Sequence, residues 1–379
     1  MNVFIIGSDK TLVGAVGVGD APARHAEYGR HVDHIDILVY TKKGEGLRTF
    51  PISSNVRGLP SNSFSKPLFF FDAFKIFQEV NKEHPVDLVV SQDPFFFGLT
   101  GYWLKRKYKV KLIVNFHGDF WGNKFWLRER LLNRLFLLLS FFVMPHCDAV
   151  RVVSSSIKKK LVERGVAEEK IEVISTAINP KNFEKASSQE VSQIREHYHG
   201  KKLVLFVGRL HQVKNLPFLI ESFALVKRQL ESSCLLVVGD GPEIEKLGLL
   251  AKRLNLEKDI FFLGPLEHKK IVNFYHAACL LVLPSLSEGL PKVLIEGGLC
   301  GLPLLATEAD WSKEIIKEGL NGYLVPLGDQ KTFSLRMISL LENDSLRERM
   351  GESSLSFARS YLSSREGKLV EFWKKVVSA

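Results

Sequence analysis

The sequence predicts an α/β protein of two domains, each organised on a parallel sheet with crossover helices. Its 379 residues are long enough for two ordinary domains. Short apolar runs alternate with helical patterns from the first residues onward. The composition, 45% apolar and 25% charged, is that of an ordinary globular protein with room for a packed core.

In the first half the strand candidates are residues 3–6, 35–39, 88–90, 112–114, 149–153 and 171–174. The first seven residues read as a strand and turn rather than a signal peptide. Parallel sheets bind ligands beyond the carboxyl ends of their strands, so the loop after each strand matters. The loop after the first carries Gly14, Gly17 and Gly19. Its spacing is not the dinucleotide fingerprint, and it reads as a surface loop before a phosphate cradle. Gln92-Asp93-Pro94-Phe95 follows the third strand as a turn centred on Asp-Pro. Asn115-Phe116-His117-Gly118-Asp119 follows the fourth. There a neutral His117 imidazole can hydrogen-bond a ligand, against the alternative of a purely structural histidine. Asp119 would hold that imidazole or cap the next segment.

Residues 124–144 read as one helix. It opens on Lys124, Arg128, Arg130 and Arg134 and ends in the apolar run 135–144, too short to span a bilayer. Two readings stand: a helix solvated at its start and buried at its end, or one lying at a membrane surface. Serines 154–156 would cap a helix over 158–164. The net charge is +10, of which +8 falls in residues 1–185. That asymmetry points to an anionic partner: phosphates, an acidic glycan or an anionic membrane surface. No RNP-like, helix-turn-helix or zinc pattern accompanies it, so a nucleic acid is not expected. Cysteines 147, 234, 279 and 300 lack CxxC spacing and sit in or beside apolar runs. Buried free thiols of a reducing compartment follow, which places the chain in the cytoplasm or peripherally at the inner face of a membrane.

A polar stretch over 186–193 marks the linker, and a strand over 203–207 restarts a sheet. It runs into Gly208-Arg209-Leu210-His211-Gln212-Val213-Lys214-Asn215 and a helix over 217–230. Two cations five apart on a strand-to-helix loop suit a diphosphate, Arg209 as a planar fork and Lys214 as a point charge. A strand over 235–238 leads to the turn Gly239-Asp240-Gly241-Pro242, and one over 260–263 leads to Gly264, which could frame a base through backbone contacts. The apolar run 279–283 reads as a buried parallel strand. Pro284 ends it, and Ser285 to Ser287 can cap a following helix with Pro291 in its first turn. The backbone of Gly289, Leu290 and Pro291 then lies at a helix N-terminus, where amides and the helix dipole favour an anion. Glu288 precedes it; Glu296 follows within reach of a sugar or ribose hydroxyl. Strands over 302–306 and 322–325 complete this half, and Leu369, Phe372, Trp373, Val376 and Val377 form one apolar face of a last helix.

Glu288 and Glu296 at this spacing, with Gly208-Arg209-Leu210 and Lys214 upstream, resemble the Glu-x7-Glu signature of glycosyltransferase family 4. The resemblance covers nearly the whole chain and is strongest from about 203 to 325. It implies the GT-B fold: two Rossmann-like domains facing an interdomain cleft, with a C-terminal helix returning to the first. On that pattern residues 1–190 bind the acceptor, 191–355 bind the nucleotide sugar and 356–379 cross back. The implied activity is retaining transfer of a hexose from a nucleotide-diphosphate sugar to an acceptor hydroxyl. It serves polysaccharide, lipopolysaccharide or glycolipid synthesis, with a glycan or lipid-linked acceptor. His117, Arg209, Lys214 and Glu288 then carry catalysis; Gly208, Gly264, Gly289, Leu290, Pro291 and Glu296 contact the donor. No Asp-x-Asp element is present, so neither a metal nor a cofactor beyond the donor substrate is expected. Residues 175–179 depart from the family's usual Asn-Gly-hydrophobic-Asp in lacking its Gly and Asp, so no contact is carried over to that loop, and the motifs of the second half are undisturbed. Two competing readings are a non-catalytic sugar-nucleotide-binding subunit and another GT-B enzyme, such as an epimerase or phosphorylase. The presence of all four clamp residues disfavours the first; product analysis with and without acceptor separates the second.

Overall fold

The computed structural model describes residues 1–15, 20–365 and 367–379. Gly17 and Gly19 of the first loop lie outside the described residues. The chain divides into two compact units, Met1–Ser175 with Arg365–Ala379, and Thr176–Ser364.

The first unit holds an eight-stranded sheet of β1 (Asn2–Gly7), β2 (His34–Val39), β3 (Phe50–Ser53), β4 (Val56–Pro60), β5 (Leu88–Ser91), β6 (Lys111–Phe116), β7 (Ala149–Val152) and β8 (Ile171–Val173). Their order is β3-β4-β2-β1-β5-β6-β7-β8. All neighbours are parallel except β3 and β4. The strands that sequence predicts are the parallel ones buried on both faces, which read as near-continuous apolar runs; β4, parallel to β2 but only partly buried and carrying Arg57 and Gly58, is not among them. The hairpin partner β3 is an exposed edge strand carrying Pro51, and it has no such run.

The second unit holds a six-stranded, all-parallel sheet of β9 (Lys202–Val207), β10 (Ser233–Val238), β11 (Ile260–Gly264), β12 (Leu280–Leu283), β13 (Leu304–Thr307) and β14 (Gly322–Val325). Their order is β11-β10-β9-β12-β13-β14. Helices Leu216–Gln229, Lys292–Leu299, Gln330–Glu342 and Asp344–Ser363 contribute to its core.

Core packing moves the unit boundaries away from 190 and 355. Ile178 and Phe183 pack into the second unit's core ahead of residue 190. Residue 356 falls inside the helix Asp344–Ser363, whose Ala358 and Tyr361 pack in that same core. The returning segment is the helix Lys368–Ser378. Its Leu369, Val370, Phe372, Trp373 and Val376 join Val3, Ile5, Ile35 and Ile37 of the first unit.

The single helix expected over 124–144 is two, Lys124–Glu129 and Leu132–His146. Arg130 adopts an extended conformation between them, and the Asn133 side chain donates to the Trp126 carbonyl freed by the break, at 2.7 Å. The helix expected over 158–164 begins at Ser155 without a side-chain cap. All four cysteines are free; burial pushes the Cys147 and Cys234 thiols up to about 12, so both stay protonated. Among the described residues no helix is long and apolar enough to cross a membrane.

Candidate active site

In the second sheet β9 has β10 on one side and β12 on the other. The strand order reverses there, and the carboxyl ends of β9 and β12 flank a topological switch point, where such sheets take their ligands. Both loops leaving that point carry residues singled out from the sequence.

After β9 the backbone is held by its neighbours. Gly208 N donates to Val238 O at 3.0 Å, Leu210 N to Asp240 O at 2.8 Å and Gly239 N to Gly264 O at 2.9 Å. A Cβ on Gly239 would stand 2.0 Å from the Gly208 carbonyl oxygen, and one on Gly241 2.3 Å from that of Leu210. Only glycine permits this approach of one loop to the next. Thus Gly208, Gly264 and the Gly239–Gly241 turn belong to one backbone scaffold, with Asp240 supplying a carbonyl to it. The chain then makes a short 3-10 turn, Gln212–Lys214, and Asn215, in the left-handed region at φ 52°, redirects it into the helix Leu216–Gln229.

The second loop is fastened to the first. Leu286 N donates to Val213 O at 2.8 Å, and Thr307 Oγ1 donates to Ser285 O at 2.6 Å. These bonds set Lys214 opposite Glu288, and Lys214 Nζ donates to Glu288 Oε1 at 2.5 Å. The side chains are only 14% and 12% exposed, so the pair is shielded enough to be strong and open enough to meet a ligand. Gly289, Leu290 and Pro291 lead into the helix Lys292–Leu299. Pro291 occupies its cap position without a side-chain cap bond. Ser285 to Ser287 therefore do not cap it, because the intervening residues form a loop of their own. The helix still directs its positive end at that loop.

Glu296 is buried on the same helix and accepts from Tyr275 Oη at 3.0 Å. Burial and the neighbouring Glu296 charge hold the Tyr275 pKa well above its usual value, so the phenol remains a donor. Arg209 is exposed and has no ion pair with the described residues. The structure thus joins Lys214 to Glu288 directly, keeps Arg209 on the same loop as Lys214, and anchors Glu296 through Tyr275.

In the first unit the switch point lies between β1 and β5, and Gln92 follows β5. His117, just past β6, has its Nε2 2.7 Å from Gln92 Oε1, and Asn115 Nδ2 donates to the same oxygen at 3.3 Å. The imidazole is thus held by Gln92 and not by Asp119, which pairs with Lys160 at 2.6 Å. His117 keeps accessible surface, yet the packed protein around its ring and the Arg151 and Arg24 charges push its pKa down to about 3. It is a neutral hydrogen-bonding group. Asp93 shapes the turn as expected, accepting from Phe95 N at 2.8 Å and Phe97 N at 3.2 Å. Gln92 and Tyr275 are the two residues that sequence reasoning passes over. Gln92 did have a signal, its place directly beyond a buried strand; Tyr275 sits inside a helix with none.

Two open depressions on the second unit lie elsewhere, one along Leu335 to Ser345 and one along Ala224 to Asp259. They border the amino ends of the strands: Asp259 immediately precedes β11, and Asp344 pairs with Lys202 at the start of β9. Parallel sheets do not place ligand chemistry there. Among the described residues no three His, Cys, Asp or Glu side chains gather as a metal site.

Two family models divide the chain between them. Glycosyltransferase Family 4 matches residues 30–182, and Glycosyl transferases group 1 matches residues 187–356. The chain belongs to glycosyltransferase family 4. An uncharacterized glycosyltransferase of Methanocaldococcus jannaschii is 26% identical over 325 residues, covering 86% of this chain and 85% of that relative. The alpha-monoglucosyldiacylglycerol synthase of Streptococcus pneumoniae is 24% identical over 299 residues, 76% of this glycosyltransferase and 67% of the synthase. The crystal structure of Anabaena HepE in complex with UDP-glucose superposes with a TM-score of 0.79 at 17% identity, over 99% of this glycosyltransferase and 100% of HepE. That likeness establishes the fold, which is GT-B.

Proposed function

We propose that this glycosyltransferase moves a hexose from a nucleoside diphosphate to a hydroxyl of a glycan or lipid-linked acceptor, with retention at the anomeric carbon. The observation that carries the reading is the Lys214–Glu288 pair at the switch point of the second sheet. An ammonium has three N–H donors, and Glu288 takes one, which leaves two for phosphate oxygens. Arg209, unpaired among the described residues, adds a guanidinium on the same loop, and the helix behind Pro291 adds its positive end. As the anomeric C–O bond breaks, the electron pair goes to the β-phosphate oxygen, and these three groups stabilise the growing negative charge. The acceptor oxygen attacks from the same face, and its proton passes to the departing phosphate. Glu288 orients sugar hydroxyls, Glu296 takes the ribose, and backbone at Gly208, Gly264, Gly289 and Leu290 closes around the donor. Neutral His117, steadied by Gln92, hydrogen-bonds the transferred sugar. With cationic side chains on the leaving group, the reaction runs without a metal ion.

A thermal-shift panel of UDP-, GDP- and ADP-sugars tests this, since a ligand of the folded state raises its unfolding temperature. One donor should stabilise the wild-type chain and fail to stabilise Lys214→Ala. That donor, incubated with a glycan or lipid-linked acceptor, should give a product of unchanged anomeric configuration, with activity intact in EDTA. Inverted product overturns the retaining step, and loss on chelation with rescue by added metal overturns the metal-free reading. An isomerised donor formed without any acceptor would identify an epimerase instead.

A further inference from the structure

The helix Leu132–His146 is built inside out. Leu131, Leu135, Leu138 and Phe142 recur at one-turn intervals and form a single stripe. They are 82%, 50%, 64% and 44% exposed. The opposite, buried face carries Asn133 and Ser140 beside Val143 and Met144. Those buried polar groups are satisfied: Trp121 Nε1 donates to Ser140 Oγ at 2.7 Å, and Asn133 donates to the Trp126 carbonyl. An ordinary surface helix shows the reverse arrangement. Leu135, Leu138, Phe141 and Phe142 of the apolar run therefore stand in the open, while Val143 and Met144 are buried.

The stripe continues beyond its own helix. The Phe142 ring meets Tyr102 edge-on at 5.1 Å, and next to Tyr102 lies Trp103, 44% exposed. Indole rings favour the boundary between water and lipid. The approach to the stripe is basic: Lys124, Arg128, Arg130 and Arg134 are exposed, and Glu129 is the single acid between residues 124 and 146.

We infer that this face of the first unit docks on an anionic lipid bilayer, Leu135, Leu138 and Phe142 entering the acyl boundary while Arg128, Arg130 and Arg134 meet lipid phosphates. Charge decides the occupant. A second copy seated on the same face would add four more cations and only Glu129 to answer them. A planar surface of anionic headgroups over acyl chains satisfies both cations and leucines at once, as for helices lying in the interface plane. The inference extends the proposed function, because docking brings the unit that would hold a lipid-linked acceptor to the place where such acceptors reside.

Vesicle sedimentation tests it, using phosphatidylcholine alone and phosphatidylcholine with phosphatidylglycerol, each at low and high salt. The wild-type chain should bind the anionic vesicles, and more weakly as salt rises. Leu135→Ser with Leu138→Ser should lower that binding about tenfold or more, with thermal unfolding unchanged because both side chains are exposed. Arg128→Glu with Arg134→Glu should lower it too and remove its salt dependence. No binding, equal binding to both vesicle types, or a leucine variant that binds like wild type would each overturn the proposal. So would a wild-type dimer in sedimentation equilibrium that the leucine variant dissolves, since the stripe would then be covered by a second copy. Failure of the catalytic reading shows differently: no nucleotide sugar shifts the unfolding temperature, whatever the vesicles report.

Discussion

Replacing Lys214 by methionine keeps most of its length and removes its charge. It strips Glu288 of the cation 2.5 Å from its carboxylate. Glu288 is 12% exposed, so water can compensate only in part. Breaking a fully buried pair costs about 3–5 kcal/mol; at this exposure we expect roughly 1–3 kcal/mol, the cost of leaving a buried polar group without its partner. Restoring neutrality with Glu288→Gln on top of Lys214→Met should return much of that stability. Catalysis should not return. A cation lost from the leaving diphosphate should cost about 2–4 kcal/mol of transition-state stabilisation, or roughly 30- to 1,000-fold in kcat/KM. The assay is a double-mutant cycle: urea unfolding followed by a probe in the second unit, alongside initial rates with the donor found in the thermal-shift panel. If the double variant is no more stable than Lys214→Met alone, the pair is not coupled. If Lys214→Met turns over like wild type, the clamp is wrong.

Arg209→Ala should show the opposite balance, because the guanidinium is exposed and unpaired within the described residues. Its rate should fall by about 2–4 kcal/mol of transition-state stabilisation with urea stability unaltered, and undiminished turnover would refute its role. His25 gives a pH prediction. Burial, with help from Arg24, lowers its pKa from 6.5 to about 4. The unfolded chain therefore binds more protons than the folded one between those values, so stability is complete above pH 6.5 and falls as pH drops toward 4. The loss amounts to roughly 3 kcal/mol, and a flatter profile for His25→Gln in pH-dependent urea unfolding is the check. His117 is exposed and enters that loss little, but with its pKa lowered the pH–rate profile should show no His117 limb near 6.5.

Most of the architecture was legible because parallel strands advertise themselves. Runs such as 203–207 and 280–283 are apolar throughout, and the charged and glycine residues right after them occupy the ends where ligands bind. The hairpin β3–β4 was not legible, since an exposed edge strand with a proline has neither continuous apolarity nor clean alternation. The break at Arg130 escaped because the helical period runs straight across it; the turn is settled by the Asn133 bond to Trp126, which is tertiary information. Within the site, charge and motif spacing led to Lys214 and Glu288. Gln92 and Tyr275 escaped because they carry no charge of their own and act through hydrogen bonds to partners 25 and 21 residues away. The side that Leu135 and Leu138 face stayed between two readings, since the same run serves a core or a surface and only packing decides between them.

The crossing of the chain at residues 364 and 365 bears on how the protein is made. The second unit is one uninterrupted segment, so a ribosome finishes it while the first is still incomplete. The first unit has all eight strands by Val173 but lacks Trp373 and its neighbours, which are synthesised only after the whole of the second unit. Until then the apolar cluster that Trp373 and its neighbours complete, with the Tyr28 ring beside it, lacks part of its cover. The amino-terminal unit is thus the first to emerge and the last to close, and a nascent chain halted before residue 365 would present that open core to chaperones beside a finished carboxyl-terminal neighbour.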